Sequence, residues 1–186
     1  MNKLIPLVFF ITFFFNADEP VKSTQKYITR QGQVRFFSYT KVENIEAINN
    51  QVLSIIDLSK NEIAVSMLMR AFVFEKALMY EHFNESYIES DLYPKATFEG
   101  KIIDFDPNIK EEQTKLVRGK ITIRAITKDI DIKTNIQFNE GKYIFNGNFE
   151  LEIQDFDIKI PPILAPNIAK KISVKFKFEY QPYEVS

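Results

Sequence analysis

The sequence predicts an all-β fold, an eight-stranded antiparallel barrel with a short helix between strands. Three observations carry that expectation: long stretches alternate apolar and polar residues with period two, short polar turns separate consecutive stretches, and almost nothing is left over to form covering helices. A sheet that is wet on one face and apolar on the other must bury the apolar face on itself or on a second sheet. Hairpin-length connections favour the closed up-and-down barrel.

The elements follow in chain order. MNKLIPLVFFITFFFNADEP places Lys3 before an apolar run from Leu4 to Phe15, with Ala17 preceding Asp18-Glu19-Pro20. The run is shorter than the roughly 20 apolar residues of a membrane span and suits the core of a secretory signal peptide. The expectation is a signal peptide over 1–17, cleavage after Ala17 and a barrel domain over 18–186. It carries a periplasmic or secreted location, with no stable membrane insertion after cleavage. An uncleaved N-terminal anchor is the alternative; a lipoprotein anchor is excluded because the chain has no cysteine.

Strands are expected around Val34 to Tyr39, Gln51 to Asp57 and Ile63 to Phe74. The next stretch, EHFNESYIESDLYPKATFEG, begins as a helix. At about 100° per residue Met79, Phe83 and Tyr87 form one stripe, while Glu81, Glu85 and Glu89 form another turned towards water. His82, the only histidine, falls on the flank of the apolar stripe. Pro94 forces Tyr93 out of helical geometry, so the helix must end before it. Ala96, Phe98 and Ile102 then alternate with Thr97, Glu99 and Lys101 in a strand reaching Phe105.

Asp106 to Gln113 reads as a solvated hairpin loop. Beyond it, Val117, Ile121, Ile123 and Ala125 oppose Arg118, Lys120, Thr122 and Arg124. Ile130, Ile132, Ile136 and Phe138 then oppose Asp131, Lys133, Asn135 and Gln137. After a turn at Asn139-Glu140-Gly141, Tyr143, Phe145, Phe149, Leu151 and Ile153 oppose Asn146, Asn148, Glu150 and Glu152. IPPILAPNIAKK, with Pro161, Pro162 and Pro166, cannot be a central strand and is expected to close or cross one end of the barrel. The last strand sets Val174, Phe176, Phe178 and Tyr180 against Lys175, Lys177 and Glu179.

Composition narrows the function. Lys+Arg 24 against Asp+Glu 25 gives a net charge of −1, which offers no basic field for nucleic acid. Without cysteine there is no disulfide framework, thiolate zinc site or cysteine nucleophile. One histidine leaves a single imidazole for any Ser-His-Asp arrangement, and no serine sits in a nucleophile elbow. Glu81, Glu85 and Glu89 lack the glycine-turned loop that gathers calcium ligands. No catalytic residue, metal ligand or cofactor is therefore assigned. Asn84-Glu85-Ser86 is a sequon of consequence only in a secreted eukaryotic protein.

Three blocks, HFNESYIESDLYPKATFEGKI, GKITIRAITKDIDI and DFDIKIPPILAPNIAKKISVKF, together resemble the YceI-like family of exported lipid-binding proteins. The resemblance runs from about Gln33 to Tyr180. It implies a lipocalin-like barrel whose apolar cavity holds polyisoprenoid or related chain lipids such as quinones. Two positions depart from the family pattern. A glycine expected in the second block is Ala125 here, and a segment that carries arginine in many members is Gln154-Asp155-Phe156-Asp157-Ile158.

An eight-stranded barrel is just wide enough to be filled by its own side chains or to hold one small ligand. The inward faces offer bulky, adaptable walls for a ligand: Met67, Met69, Phe98, Ile123, Phe138, Phe145, Phe149, Phe176 and Phe178, with Met79, Phe83 and Tyr87 from the helix. Each buried methylene contributes roughly 0.8 kcal/mol, so a long-chain isoprenoid or other lipid is held without specific polar contacts. The expected role is a carrier or store for such a ligand. The alternative is a packed, non-catalytic barrel serving protein interaction or structure, and a hydrolase or isomerase stands behind both.

Overall fold

A computed structural model describes residues 25–39, 44–160 and 169–183. The expected signal peptide and its cleavage site at Ala17, and the prolines Pro161, Pro162 and Pro166, lie outside these residues.

The chain forms β1 (Lys26–Ser38), β2 (Ile45–Asp57), β3 (Glu62–Leu68), β4 (Val73–Phe74), β5 (Lys95–Ile102), β6 (Gln113–Ile123), β7 (Ile126–Asn139), β8 (Lys142–Glu152) and β9 (Lys171–Pro182). The strand order is β1-β9-β8-β7-β6-β5-β3-β2-β4, and β1 also pairs with β2, which closes eight strands into an antiparallel barrel. The two-residue β4 is an appendage on the outer end of β2, with Ala47 opposite Phe74 and Ile48 opposite Val73. Closure leaves the eight-stranded ring without a free edge, and period two divides the strands into inward and outward faces except at the register shifts between β1 and β2. In β5, Ala96, Phe98 and Ile102 are buried while Glu99 and Lys101 are exposed. In β7, Ile132, Thr134 and Ile136 are buried while Asp131 and Lys133 face water.

The expected strand from Ile63 to Phe74 is broken. β3 stops at Leu68 and a turn of 3₁₀ helix, Met69–Ala71, redirects the chain before β4. The Met69 amide donates to the carbonyl of Pro94 at 2.9 Å, so the break is held by the start of β5. The helix begins as α1 (Ala77–His82) and widens into a π-helical turn, Phe83–Tyr87. Glu81 and Glu85 are exposed as expected, but Glu89 lies beyond the helix with φ +55°.

Two hairpins turn on two residues. Asn139 pairs with Lys142 across Glu140 (φ 49°) and Gly141 (φ 78°), and Ile123 pairs with Ile126 across Arg124 (φ 49°) and Ala125 (φ 60°). Positive φ at both central residues is the type I′ geometry that matches strand twist. Arg124 and Ala125 are therefore turn residues, not opposite-facing strand positions.

One end of the barrel, formed by the β2–β3, β5–β6 and β7–β8 connections, is packed solid. Tyr180 and Phe145 are fully buried with ring centroids 5.1 Å apart, and the Tyr180 hydroxyl lies 2.7 Å from the Ser54 hydroxyl. Tyr143 joins them, its ring 4.9 Å from Tyr27 and 6.0 Å from Phe105. The helical segments gather at the opposite end. No helix among the described residues is long and apolar enough to cross a membrane.

Candidate apolar cavity

The half of the barrel towards the helical end is hollow. A cavity of about 480 Å³ is lined by inward side chains of β1, β3, β5, β6, β7, β8 and β9 and by the α1 and π-helical segment. Its walls include Val65, Val117, Ile121, Ile132 and Val174, with Phe145 and Phe178 at the deep end. Interiors normally pack to crystal-like density, so a lumen of this size must be kept open by something in the sequence.

Glycines keep it open. Gly100 and Gly119 face each other across β5 and β6, and the ring of Phe98 lies over both. A Cβ built on Gly119 would stand 2.6 Å from that ring and 2.3 Å from the Glu99 carbonyl oxygen. Phe178 lies in the same way over Gly32, at 2.6 Å from a Cβ there, and Phe176 over Gly147, at 2.9 Å. Three aromatic rings are thereby laid against the wall instead of across the lumen. This device was not apparent from the apolar pattern alone, although all four glycines stand at inward positions of their strands.

Met67, Met69, Met79, Phe83, Tyr87, Phe98, Ile123, Phe145, Phe149, Phe176 and Phe178 all line this cavity. Phe138 does not. It lies at the packed end, its ring 4.8 Å from Tyr143 and 4.1 Å beneath the ammonium of Lys110. Its alternation with Ile136 was read correctly, but the level along the barrel axis is not encoded in a two-residue period.

The helical lid is held by rings. Phe83 packs on Phe36 of β1 at 5.5 Å, on Phe72 at 5.7 Å and on Phe74 of β4 at 5.0 Å. Phe36, Phe72 and Phe74 also line the cavity and were missed as site residues. The run around Phe72 and Phe74, like VRFFSY around Phe36, has apolar residues at adjacent positions, which hides the inward face. α1 and the π turn together bring Met79, Phe83 and Tyr87 to the same lumen.

Polar groups on the wall are few. The Thr134 hydroxyl, almost fully buried, donates to the Ile132 carbonyl at 3.4 Å, and the Ser38 hydroxyl accepts from the Ala169 amide at 3.3 Å. Burial raises the Tyr87 phenol above its ordinary value, so it remains neutral at physiological pH. Lys76 and half-buried His82 stand at the helical end. The Asn84 side chain is buried and donates to the Tyr80 carbonyl at 2.9 Å, which withdraws the sequon from the surface. Among the described residues no group of three or more His, Cys, Asp or Glu is placed to hold a metal ion.

Beside the cavity Arg124 ties three segments together. Its guanidinium donates to the Glu89 carboxylate and to the Phe156 and Asp157 carbonyls, and lies 5.5 Å from the Tyr93 ring centroid. Only 13% of that side chain is exposed. Arg124 and Glu89 had both been expected to face water. The segment from Gln154 to Ile158 is thus bound through its backbone to an arginine from the β6–β7 turn.

Fold and site together define a closed antiparallel β-barrel with an apolar internal cavity. Residues 22–180 match the YceI-like domain, and the chain belongs to that family. Solved structures agree in fold. A polyisoprenoid binding domain from Saccharophagus degradans implicated in plant cell wall breakdown is similar at TM-score 0.73, with 12% identity over 86% of this chain and 99% of that one. BcnA of Burkholderia cenocepacia is similar at 0.67, with 15% identity over 80% and 95%. The YceI protein of Campylobacter jejuni is similar at 0.64, with 17% identity over 78% and 90%. Comparison with curated protein sequences gives no match.

Proposed function

We propose that the barrel binds a single apolar chain lipid, a polyisoprenoid or quinone-like molecule, and carries or stores it outside the cytoplasm. The observation that carries this reading is the cavity of about 480 Å³, walled by apolar side chains, in a barrel whose other half is fully packed. A volume in the range of small-molecule sites, with few polar groups, suits a ligand recognised by girth and length. The polyisoprenoid-binding description of the Saccharophagus relative supports the choice of lipid class. The packed-barrel alternative describes only the end built on Tyr143, Phe145 and Tyr180.

The reading is binding rather than catalysis, supported by the place of His82, the single imidazole, at the helical end of an apolar-walled lumen. Export rests on the pattern from Lys3 to Pro20, and the secreted protein is expected to begin at Asp18.

Displacement of a fluorescent apolar probe by prenyl alcohols tests the binding reading. Farnesol is expected to displace the probe stoichiometrically. Phe149→Glu, which sets a carboxylate in the wall, is expected to weaken it by at least about tenfold. Equal displacement by the variant would contradict the cavity as the site.

A further inference from the structure

The cavity ends abruptly, and the residues that end it are among the most buried in the molecule. Phe145 is fully buried and lines the lumen. Directly behind it stand Tyr180 at 5.1 Å, Tyr143 at 6.4 Å and Phe105 at 6.4 Å between ring centroids, and none of these three reaches the lumen. Tyr180 is locked by the Ser54 hydroxyl, which in turn donates to the Ala64 carbonyl at 2.9 Å. The floor is therefore a braced stack of rings that a flexible apolar chain has no means to push aside.

Dimensions follow from the strands. Lining residues on β8 and its continuation run from Phe145 to Ile153. At a rise of about 3.3 Å per residue and a strand tilt of about 40°, that span is roughly 20 Å along the barrel axis. The cavity of about 480 Å³ runs this depth, which takes a few isoprene units of a chain laid along the axis.

We infer that the Phe145–Tyr180 floor makes the cavity a length gauge, which accepts an apolar chain of a few isoprene units laid along the axis and leaves the remainder of a longer chain outside. The inference rests on the proposed lipid-binding reading and adds to it a length and the residues that set it. Phe145 and Phe178 stop the chain end, and the small wall residues Ala96 and Val117 leave its path open. Affinity rises with each isoprene unit that enters the lumen and levels off once the floor is reached.

The test measures prenyl alcohols of two, three, four and nine isoprene units by probe displacement on the purified full chain. The affinity is expected to rise by at least about tenfold from two units to three and by less than about threefold from four to nine. Ile132→Phe, which fills the lumen, is expected to move the plateau shorter by about one unit, and Phe145→Leu to move it longer. Thermal melts establish that each variant folds, and if Phe145→Leu fails that check the Ile132→Phe arm decides. Affinity that keeps climbing from four units to nine, or a plateau unmoved in folded variants, overturns the gauge. Failure of every prenyl alcohol to displace the probe counts against lipid binding itself, so the two failures are distinct.

Discussion

Ala125 holds a methyl group where backbone sterics favour glycine. Its φ of 60° in a type I′ turn is the left-handed region, and the sister turn at Glu140-Gly141 has glycine in the same place. Left-handed geometry costs an L-residue roughly 1 kcal/mol, part of which glycine returns through its freer unfolded chain. Ala125→Gly is expected to stabilise the barrel by up to about 1 kcal/mol in urea titration; destabilisation would contradict the turn geometry. The buried phenols give a second prediction at this scale. Burial foremost, then Tyr27 and Asp106, push Tyr143 up to about 12, and burial pushes Tyr180 higher still against the Ser54 hydrogen bond. An unfolded tyrosine ionises near pH 10, so these groups stabilise the fold fully below about pH 10 and lose that contribution as pH rises through the folded values. The melting temperature should fall beyond about pH 10, and Tyr143→Phe with Tyr180→Phe should reduce that fall. An unchanged alkaline limb would contradict it.

At the scale of elements, Arg124 is the cross-brace of the cavity end, joining the chain beyond the π turn to the β6–β7 turn and to the 3₁₀ turn Ile153–Phe156. Removing one partner of a largely buried ion pair leaves the other groups unsatisfied. Arg124→Leu is expected to lower stability by about 2 kcal/mol, and Glu89→Gln, at a carboxylate more exposed, by less. Equal, additive losses in the double variant would show that the two side chains are not coupled. The strands themselves were legible because one-face wetting writes itself in period two, as in Thr97, Glu99 and Lys101 against Ala96, Phe98 and Ile102. The interruption at Met69–Ala71 was not legible, because MLMRAFVF stays apolar through the break and the hydrogen bond that holds it comes from Pro94, far along the chain. Glu89 and Arg124 were misread for a related reason. Periodicity assigns faces only while a helix or strand continues, and both residues sit just past an end, at positive φ.

At the scale of the molecule, a barrel of eight strands is either filled or hollow, and apolar alternation is the same in both cases. The missing signal was in the glycines. Gly32, Gly100, Gly119 and Gly147 occupy inward positions, and each accepts an aromatic ring laid against the wall. An aromatic residue two places from an inward glycine, as Phe98 is from Gly100, or directly across from one, as Phe176 is from Gly147, is thus a readable mark of a lumen. Most of the site was legible as a set of inward residues, while its depth was not: Phe138 and Phe145 belong to adjacent strands, yet only Phe145 meets the cavity.

The most direct measurement is native mass spectrometry of the protein purified from its own host, before and after solvent extraction. The account predicts one copy of an apolar chain lipid per barrel, lost on extraction and regained with added prenyl alcohol. A chain that carries no lipid when isolated, and takes up none after extraction, would contradict it.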